Sequence, residues 1–363
     1  MRRADRHQVE KGRGAVTNPA GRFDSTRLEP ADDGWGSLEE VPPHPATQLI
    51  AEFPKTAISR NDSPDVSFEQ SINPYQGCEH GCIYCYARPA HAYLNLSPGL
   101  DFETRIFHKP ALAQLLAKEL AAPRYRCRVI HVGGNTDPYQ PAERALRSTR
   151  AVLELMLERR HPVTIITKSA LILRDIDLYV ALAERNLVRV SISLTSLTDE
   201  IKRTLEPRAA SPQARLRVMR QLTEAGVPVG AMLAPVIPAI TDHEIEKMLE
   251  AVAAAGVRSA GFLMLRLPFE VAGLFEDWLR EHYPQRADRV LHLVREMRGG
   301  KLNDPRFGYR HRGQGPYAAL IGARFDAACR RLGLDTGEWA QLDTSQFIGD
   351  PAAPVQPGLF DAN

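Results

Sequence analysis

The sequence predicts an α/β protein built on parallel strands, and three observations carry that prediction. Short apolar, β-branched runs recur from about residue 70 to residue 267, and longer stretches with helical periodicity separate them. The strand–helix units number about six, far more than a hairpin protein would show. Such alternation builds an open doubly wound sheet or a (β/α) barrel, complete or partial, and both place their chemistry at the carboxyl ends of the strands.

The elements follow in order. "INPYQG" reads as a first strand, then "CRVIHVGG" (127–134), "PVTIITKS" (162–169), "VRVSISLT" (188–195), "VPVGAMLAP" (227–235) and "SAGFLMLRL" (259–267) as buried parallel strands. "PAERALRSTRAVLELMLERR" reads as one helix opening at Pro141, where a first-turn proline is tolerated. "TDHEIEKMLEAVAAAG" carries a Thr241/Glu244 capping box and stops at Gly256. The strand ends hold polar or glycine residues: Gly133 to Asp137, Thr167 to Ser169, Ser191 to Ser196 and Ala234 to Pro238. A site is expected there. Ahead of the repeat, residues 1–64 read as an irregular arm, disordered or wrapped over the surface; residues 65–282 form the repeat, 283–345 a helical C-terminal extension and 346–363 a flexible tail.

Composition narrows the function classes. With 46 basic against 44 acidic side chains and a net charge of +2, bulk electrostatics gives nucleic acid little help, so any basic surface is local. No run approaches the length of a membrane span, and the cationic N-terminus lacks the apolar stretch of a signal peptide, so a cytoplasmic location is expected. The five cysteines are an odd number, and three are too close in sequence to form a disulfide framework. Thiolate ligands are the better reading.

Those three are Cys78, Cys82 and Cys85, with three and then two residues between them. In a loop loosened by Gly77 and Gly81 they can converge on one metal centre. Structural thiols and a zinc site using His80 as a fourth ligand are the alternatives, although no second Cys/His pair follows at zinc-knuckle spacing. A [4Fe–4S] cluster on three thiolates leaves one iron without a protein ligand, open to a substrate or cofactor.

The motif Cys-x3-Cys-x2-Cys with Tyr84 before its third cysteine, on a loop after a first strand and heading a βα repeat, resembles the radical S-adenosylmethionine (radical SAM) enzymes. "SINPYQGCEHGCIYCYAR", "GGNTDPYQPAE", "ITKSALILRDIDL", "LEPRAASPQARL" and "GAMLAPVIPAITD" are similar to the spore-photoproduct-lyase-like branch. The resemblance implies a partial (β/α)6 barrel, with S-adenosylmethionine cleaved by one electron to methionine and a 5′-deoxyadenosyl radical that abstracts hydrogen. Carried over by position, it implies that Gly133, Gly134 and Asn135 meet the methionine amino group. Tyr84, Lys168 and Ser193 then lie beside the cofactor's polar groups, and Ala234 and Val236 beside its adenine. A cytoplasmic electron donor is implied as partner.

Plainer roles stand beside these. Lys168 can be a strand-end lysine snorkelling to water. Ser191, Ser193 and Thr195 share one strand face and need partners that other side chains can supply. Tyr75 and Tyr93 read as packing residues, Tyr86 as a phenol placed to relay a hydrogen atom, and Asp137 and Glu143 as turn and helix-start residues. The lyase that names the branch donates hydrogen from a cysteine near the end of the second barrel strand, where this chain has "GGNTDPYQ". Cys127 sits at the other end of that strand and Cys329 in the C-terminal extension, so the substrate does not carry over. DNA or RNA is a candidate, since "RFGYRHRGQGPYAALIGARF" mixes Arg306, Arg310, His311 and Arg312 with Phe307, Tyr309 and Tyr317. "QPGLF", Gln356 to Phe360, resembles the peptide with which DNA-processing proteins engage the sliding clamp.

Overall fold

The computed structural model describes residues 9–24, 46–337 and 341–349. Six parallel strands form its main sheet: β1 (Gln70–Ile72), β2 (Ile130–Val132), β3 (Val163–Thr167), β4 (Val188–Ser193), β5 (Val229–Val236) and β6 (Ser259–Met264). Each pairs with its neighbour in sequence, so the sheet runs β1 to β6 in chain order. Ser59–Arg60 adds an antiparallel edge to β1. This is the strand succession of the expected partial barrel.

Helices close each crossover: α1 (Leu112–Leu120), α2 (Ser148–Glu158), α3 (Ile176–Ala183), α4 (Asp199–Leu205), α5 (Pro212–Glu224), α6 (Ile245–Ala254) and α7 (Val271–His282). The period-2 pattern explains their seat. Val188, Val190, Ile192 and Leu194 are buried together on one face of β4, which leaves Ser191, Ser193 and Thr195 to the other. The C-terminal extension adds α8 (Pro284–Met297) and α9 (Gly315–Leu332), and Asp335 extends the edge of β6 by bonding to Ala260 N and Arg258 O.

Several local expectations change. The first strand is divided by Asn73–Pro74: Ile72 ends β1, while Tyr75–Gln76 joins a separate small sheet with Arg105–His108 and Gln48–Ala51. The single helix expected from Pro141 breaks at Arg147, whose φ is 50°. The Glu143 carboxylate accepts from Thr149 N at 2.9 Å and Arg150 N at 3.3 Å, and so caps α2 from outside it. The Thr241/Glu244 capping box does not form. Thr241 Oγ1 accepts from Ile237 N at 2.9 Å, and Glu244 takes Ser196, Leu197 N and Thr198 instead, so α6 begins at Ile245.

The arm wraps. Residues 9–24 lie against the loop after β1, with Ala15 and Val16 buried. Toward the other terminus Ile348 N donates to Arg159 O at 2.8 Å and Gly349 O accepts from Arg159, so the chain is still packed at residues 348 and 349. The clamp-like residues 356–360 lie outside the described residues. No helix among the described residues is long and apolar enough to cross a membrane.

Candidate active site

The cysteine loop is held from below by one ion pair. Gly77 and Gly81 have φ of +79° and +69°, and a Cβ on Gly81 would stand 2.8 Å from Glu103 Oε2. Short turn bonds shape the rest: Gly81 N to Cys78 O, Cys85 N to Cys82 O and Arg88 N to Cys85 O. The fully buried Arg88 donates to Cys82 O at 2.9 Å, Gly81 O at 3.1 Å, and Pro98 and Gly99 O at 3.0 Å, and it pairs with Glu103 at 2.5 Å. Glu103 also accepts from Gly14 N at 3.0 Å and Ala15 N at 2.9 Å, so the arm and the loop share one carboxylate. A buried pair with every remaining valence used is the condition under which such a pair holds geometry.

The thiols suit a metal centre. Burial pushes Cys78 well up and Cys82 up to about 12; Asp137 and the other two sulfurs add to the rise at Cys78, and Glu206 and the Cys85 sulfur to that at Cys82. Without a cation Cys78 and Cys82 stay protonated; metal coordination reverses that. The donor set is three soft sulfurs in one turn-rich loop, which fits an iron–sulfur cluster in which three of the four irons each take one thiolate. Among the described residues no group of three or more His, Cys, Asp or Glu side chains is arranged on a single metal ion. His80, the fourth ligand of a zinc reading, instead points Nδ1 at Asp137 Oδ2, 3.2 Å away.

Two buried carboxylates join this loop to the strand ends. Asp137 accepts from Thr167 Oγ1 at 2.6 Å, Lys168 N at 2.8 Å and Tyr139 N at 2.9 Å as well as facing His80. Burial alone would raise its pKa, but His80 and these donors outweigh burial and bring it to about 2. Glu206 accepts from Tyr84 and Arg215, and from Thr195 Oγ1 at 2.7 Å. Here too burial is outweighed, by the Arg215 and Lys168 charges, and the group falls to about 2. Arg215 reaches on to Ser193 O at 3.1 Å. Loop, β3, β4 and α5 are thus locked in one frame.

The expected residues fall into place unevenly. Tyr84 is buried in the Glu206 knot, and Lys168 Nζ stands 5.8 Å from its ring centroid. Gly133 has φ +91°, and a Cβ there would meet Pro138 Cδ at 2.5 Å. Gly134 O accepts from Tyr86, and Asn135 N donates to Asn73 Oδ1 at 2.8 Å. Ser193 is buried, Ala234 O accepts from Thr195 at 3.1 Å, and Val236 O accepts from Leu265 N at 3.0 Å. Tyr86 is half exposed beneath the Arg266 guanidinium, 4.9 Å from the ring centroid. Cys127, beside Asp343, and Cys329, buried in α9, lie apart from these strand ends. Sequence reading missed Arg88, Glu103, Glu206, Arg215 and Arg266, and took Asp137, within an expected site segment, as a turn residue first. Glu206 and Arg215 sit inside the motif string "LEPRAASPQARL", which was a signal without a role.

The model of the radical SAM superfamily matches residues 72–252. An uncharacterised protein of Mycobacterium tuberculosis is 35% identical over 244 residues, covering 66% of this chain and 72% of that one. Another, from Methanocaldococcus jannaschii, is 28% identical over 173 residues, covering 48% of this chain and 62% of its own. Spore photoproduct lyase complexed with dinucleoside spore photoproduct has the same fold, with a TM-score of 0.57 at 17% identity over 79% of this chain and 80% of the other. The chain belongs to the radical SAM superfamily, whose members are enzymes that use a [4Fe–4S] cluster and S-adenosylmethionine.

Proposed function

We propose that Cys78, Cys82 and Cys85 hold the cluster and that the chain cleaves S-adenosylmethionine reductively to abstract hydrogen from a substrate at the barrel mouth. The observation that carries this reading is the placement of three thiols, Cys78 and Cys82 buried and Cys85 partly exposed, in a braced loop beside the carboxyl ends of β1 to β4. When bound, the cluster supplies the single electron that breaks a sulfonium C–S bond, leaving methionine and a 5′-deoxyadenosyl radical.

The chain's own residues do the placing. Gly133, Gly134 and Asn135 would hold the methionine end of S-adenosylmethionine through their backbone, and Lys168 would pair with its carboxylate. Asp137 and Glu206 fix the strand ends on which those groups sit through hydrogen bonds from Thr167, Lys168 N and Thr195. Tyr86, exposed on the mouth side of Cys85, is the candidate for passing a hydrogen atom between substrate and radical.

The test is anaerobic reconstitution with iron and sulfide, reduction with dithionite and assay for 5′-deoxyadenosine. Wild-type protein forms it; Cys82→Ala loses most bound iron and all product, while Cys127→Ala and Cys329→Ala keep their iron. Full iron in Cys82→Ala overturns the ligand set. An intact cluster that yields no 5′-deoxyadenosine, with substrates supplied, would point to a structural cluster in a nucleic-acid-binding protein.

A further inference from the structure

β6 ends at Met264, and the chain leaves the sheet through Leu265 and Arg266 at the mouth. The buried Arg298 fastens a second segment there. It donates to Met264 O at 3.0 Å and Leu265 O at 2.8 Å, and to Tyr309 O and Arg310 O at 2.9 Å. Met264 N completes the seam by donating to His311 O at 2.8 Å. The basic loop is therefore fixed beside Arg266.

The cations gathered there are unequal. Arg306 pairs with Asp304 at 2.7 Å and Arg310 with Asp65 at 2.6 Å. Arg266 has no hydrogen-bond acceptor and no carboxylate within ion-pair distance among the described residues; its contact is the Tyr86 ring. The Asp65 carboxylate acts on Arg266 only from beyond contact, being paired with Arg310, and a partly buried guanidinium with no direct ion pair carries a desolvation cost that an incoming anion relieves; its planar fork matches a phosphate. Around it Tyr86, Phe307 and Tyr309 are 47%, 55% and 45% exposed. Arginines stiffen two of these rings from one side, Arg310 at 4.9 Å from Phe307 and Arg306 at 5.0 Å from Tyr309. Exposed rings interleaved with guanidinium groups are what a single strand needs, with a π-face for each base and charge for the backbone.

We propose that Arg266, seated on Tyr86, anchors a phosphate of a single-stranded nucleic-acid substrate, and that Phe307 and Tyr309 receive its bases. As a substrate subsite this rests on the radical reading above, and it names the substrate's chemistry at that mouth. DNA and RNA share the phosphodiester, and the test separates them.

The measurement is fluorescence anisotropy of labelled oligothymidylate, oligouridylate and a DNA duplex on the full, cluster-loaded protein across a salt series, without S-adenosylmethionine or reductant. Arg266→Gln weakens single-strand binding about ten-fold and flattens the salt slope by about 0.7, the share of one phosphate contact. Arg266→Lys restores the slope but not the full affinity, which a merely structural arginine would not do. Tyr309→Leu weakens binding at unchanged slope. Tighter binding of one single strand assigns the sugar. The proposal is overturned if wild-type protein binds neither strand, if the duplex binds best, or if Arg266→Gln keeps both affinity and slope. Because no radical step enters, binding with no 5′-deoxyadenosine in the separate assay sinks the radical reading alone.

Discussion

The two sides of the barrel mouth treat positive charge differently. On the cofactor side the buried arginines Arg88 and Arg215 each meet a carboxylate, Glu103 and Glu206, and spend their other donors on loop carbonyls. On the other side Arg298 is held by carbonyls alone, and Arg266 above it rests on a ring. A frame with its charges matched is complete before any ligand arrives, which suits the loop proposed to hold the cluster. The opposite side leaves a cation unmatched, so a ligand completes it.

The largest effect expected from this contrast comes from breaking a matched pair. Arg88→Met strands the Glu103 carboxylate in a dry site and costs about 3–5 kcal/mol in denaturant unfolding, with partial recovery in Arg88→Met/Glu103→Leu. If Arg88→Met cost no more than a surface change, the cofactor side would not be the rigid half. Next in size is an acid effect. Burial lowers His131 and His161 to about 4, below the ordinary value near 6.5 that the unfolded chain keeps. Between those values the unfolded state takes up protons that the fold refuses, so stability falls as pH drops from about 6.5 to about 4 and levels off below. Each histidine contributes roughly 3 kcal/mol at most, and His131→Gln flattens the slope in denaturation curves taken across that range.

A smaller loss follows from crowding the arm. A Cβ on Gly14 would stand 1.9 Å from Gly81 O, so Gly14→Ala must move either the arm or the cysteine loop. About 1–3 kcal/mol is the expected cost, with faster proteolysis within residues 9–24 as the local readout. Unchanged cleavage would mean the arm does not brace the loop. The smallest effect is a titration on the open side. Burial lowers His311 to about 4, and the Arg266 and Arg310 charges add to that. Arg266→Gln should let His311 rise toward its ordinary value in an NMR titration while His131, lowered by burial alone, stays put. Equal shifts in both would erase the distinction between the two sides.

Much of this was legible in the residue string. Strand and helix periods repeat every few residues, so β2 to β6 appear within a residue or three of where they were expected. The cysteine spacing is local too, and a ligand loop needs little beyond its own glycines to be recognised. Boundaries set by competing partners were less legible. Nothing in "TDHE" says that Glu244 will cap the segment after β4 rather than its own helix, and nothing in "ERALRST" says that Glu143 will turn the chain at Arg147.

What the sequence determined by itself is the parallel repeat, the thiol loop and the glycines at its turns, because each is a short-range pattern of side-chain period or backbone freedom. What the tertiary structure alone decided is which distant charges meet. Gly14 and Ala15 find Glu103 across about ninety residues. Glu206 gathers Tyr84 from the cysteine loop, and Arg298 ties two loops to one strand end. Such pairings are selected by desolvation: a charge is tolerable inside only where the fold delivers its partner, and no local pattern records which partner that is. For Arg266 the fold delivers none among the described residues, and that vacancy too became visible only in three dimensions.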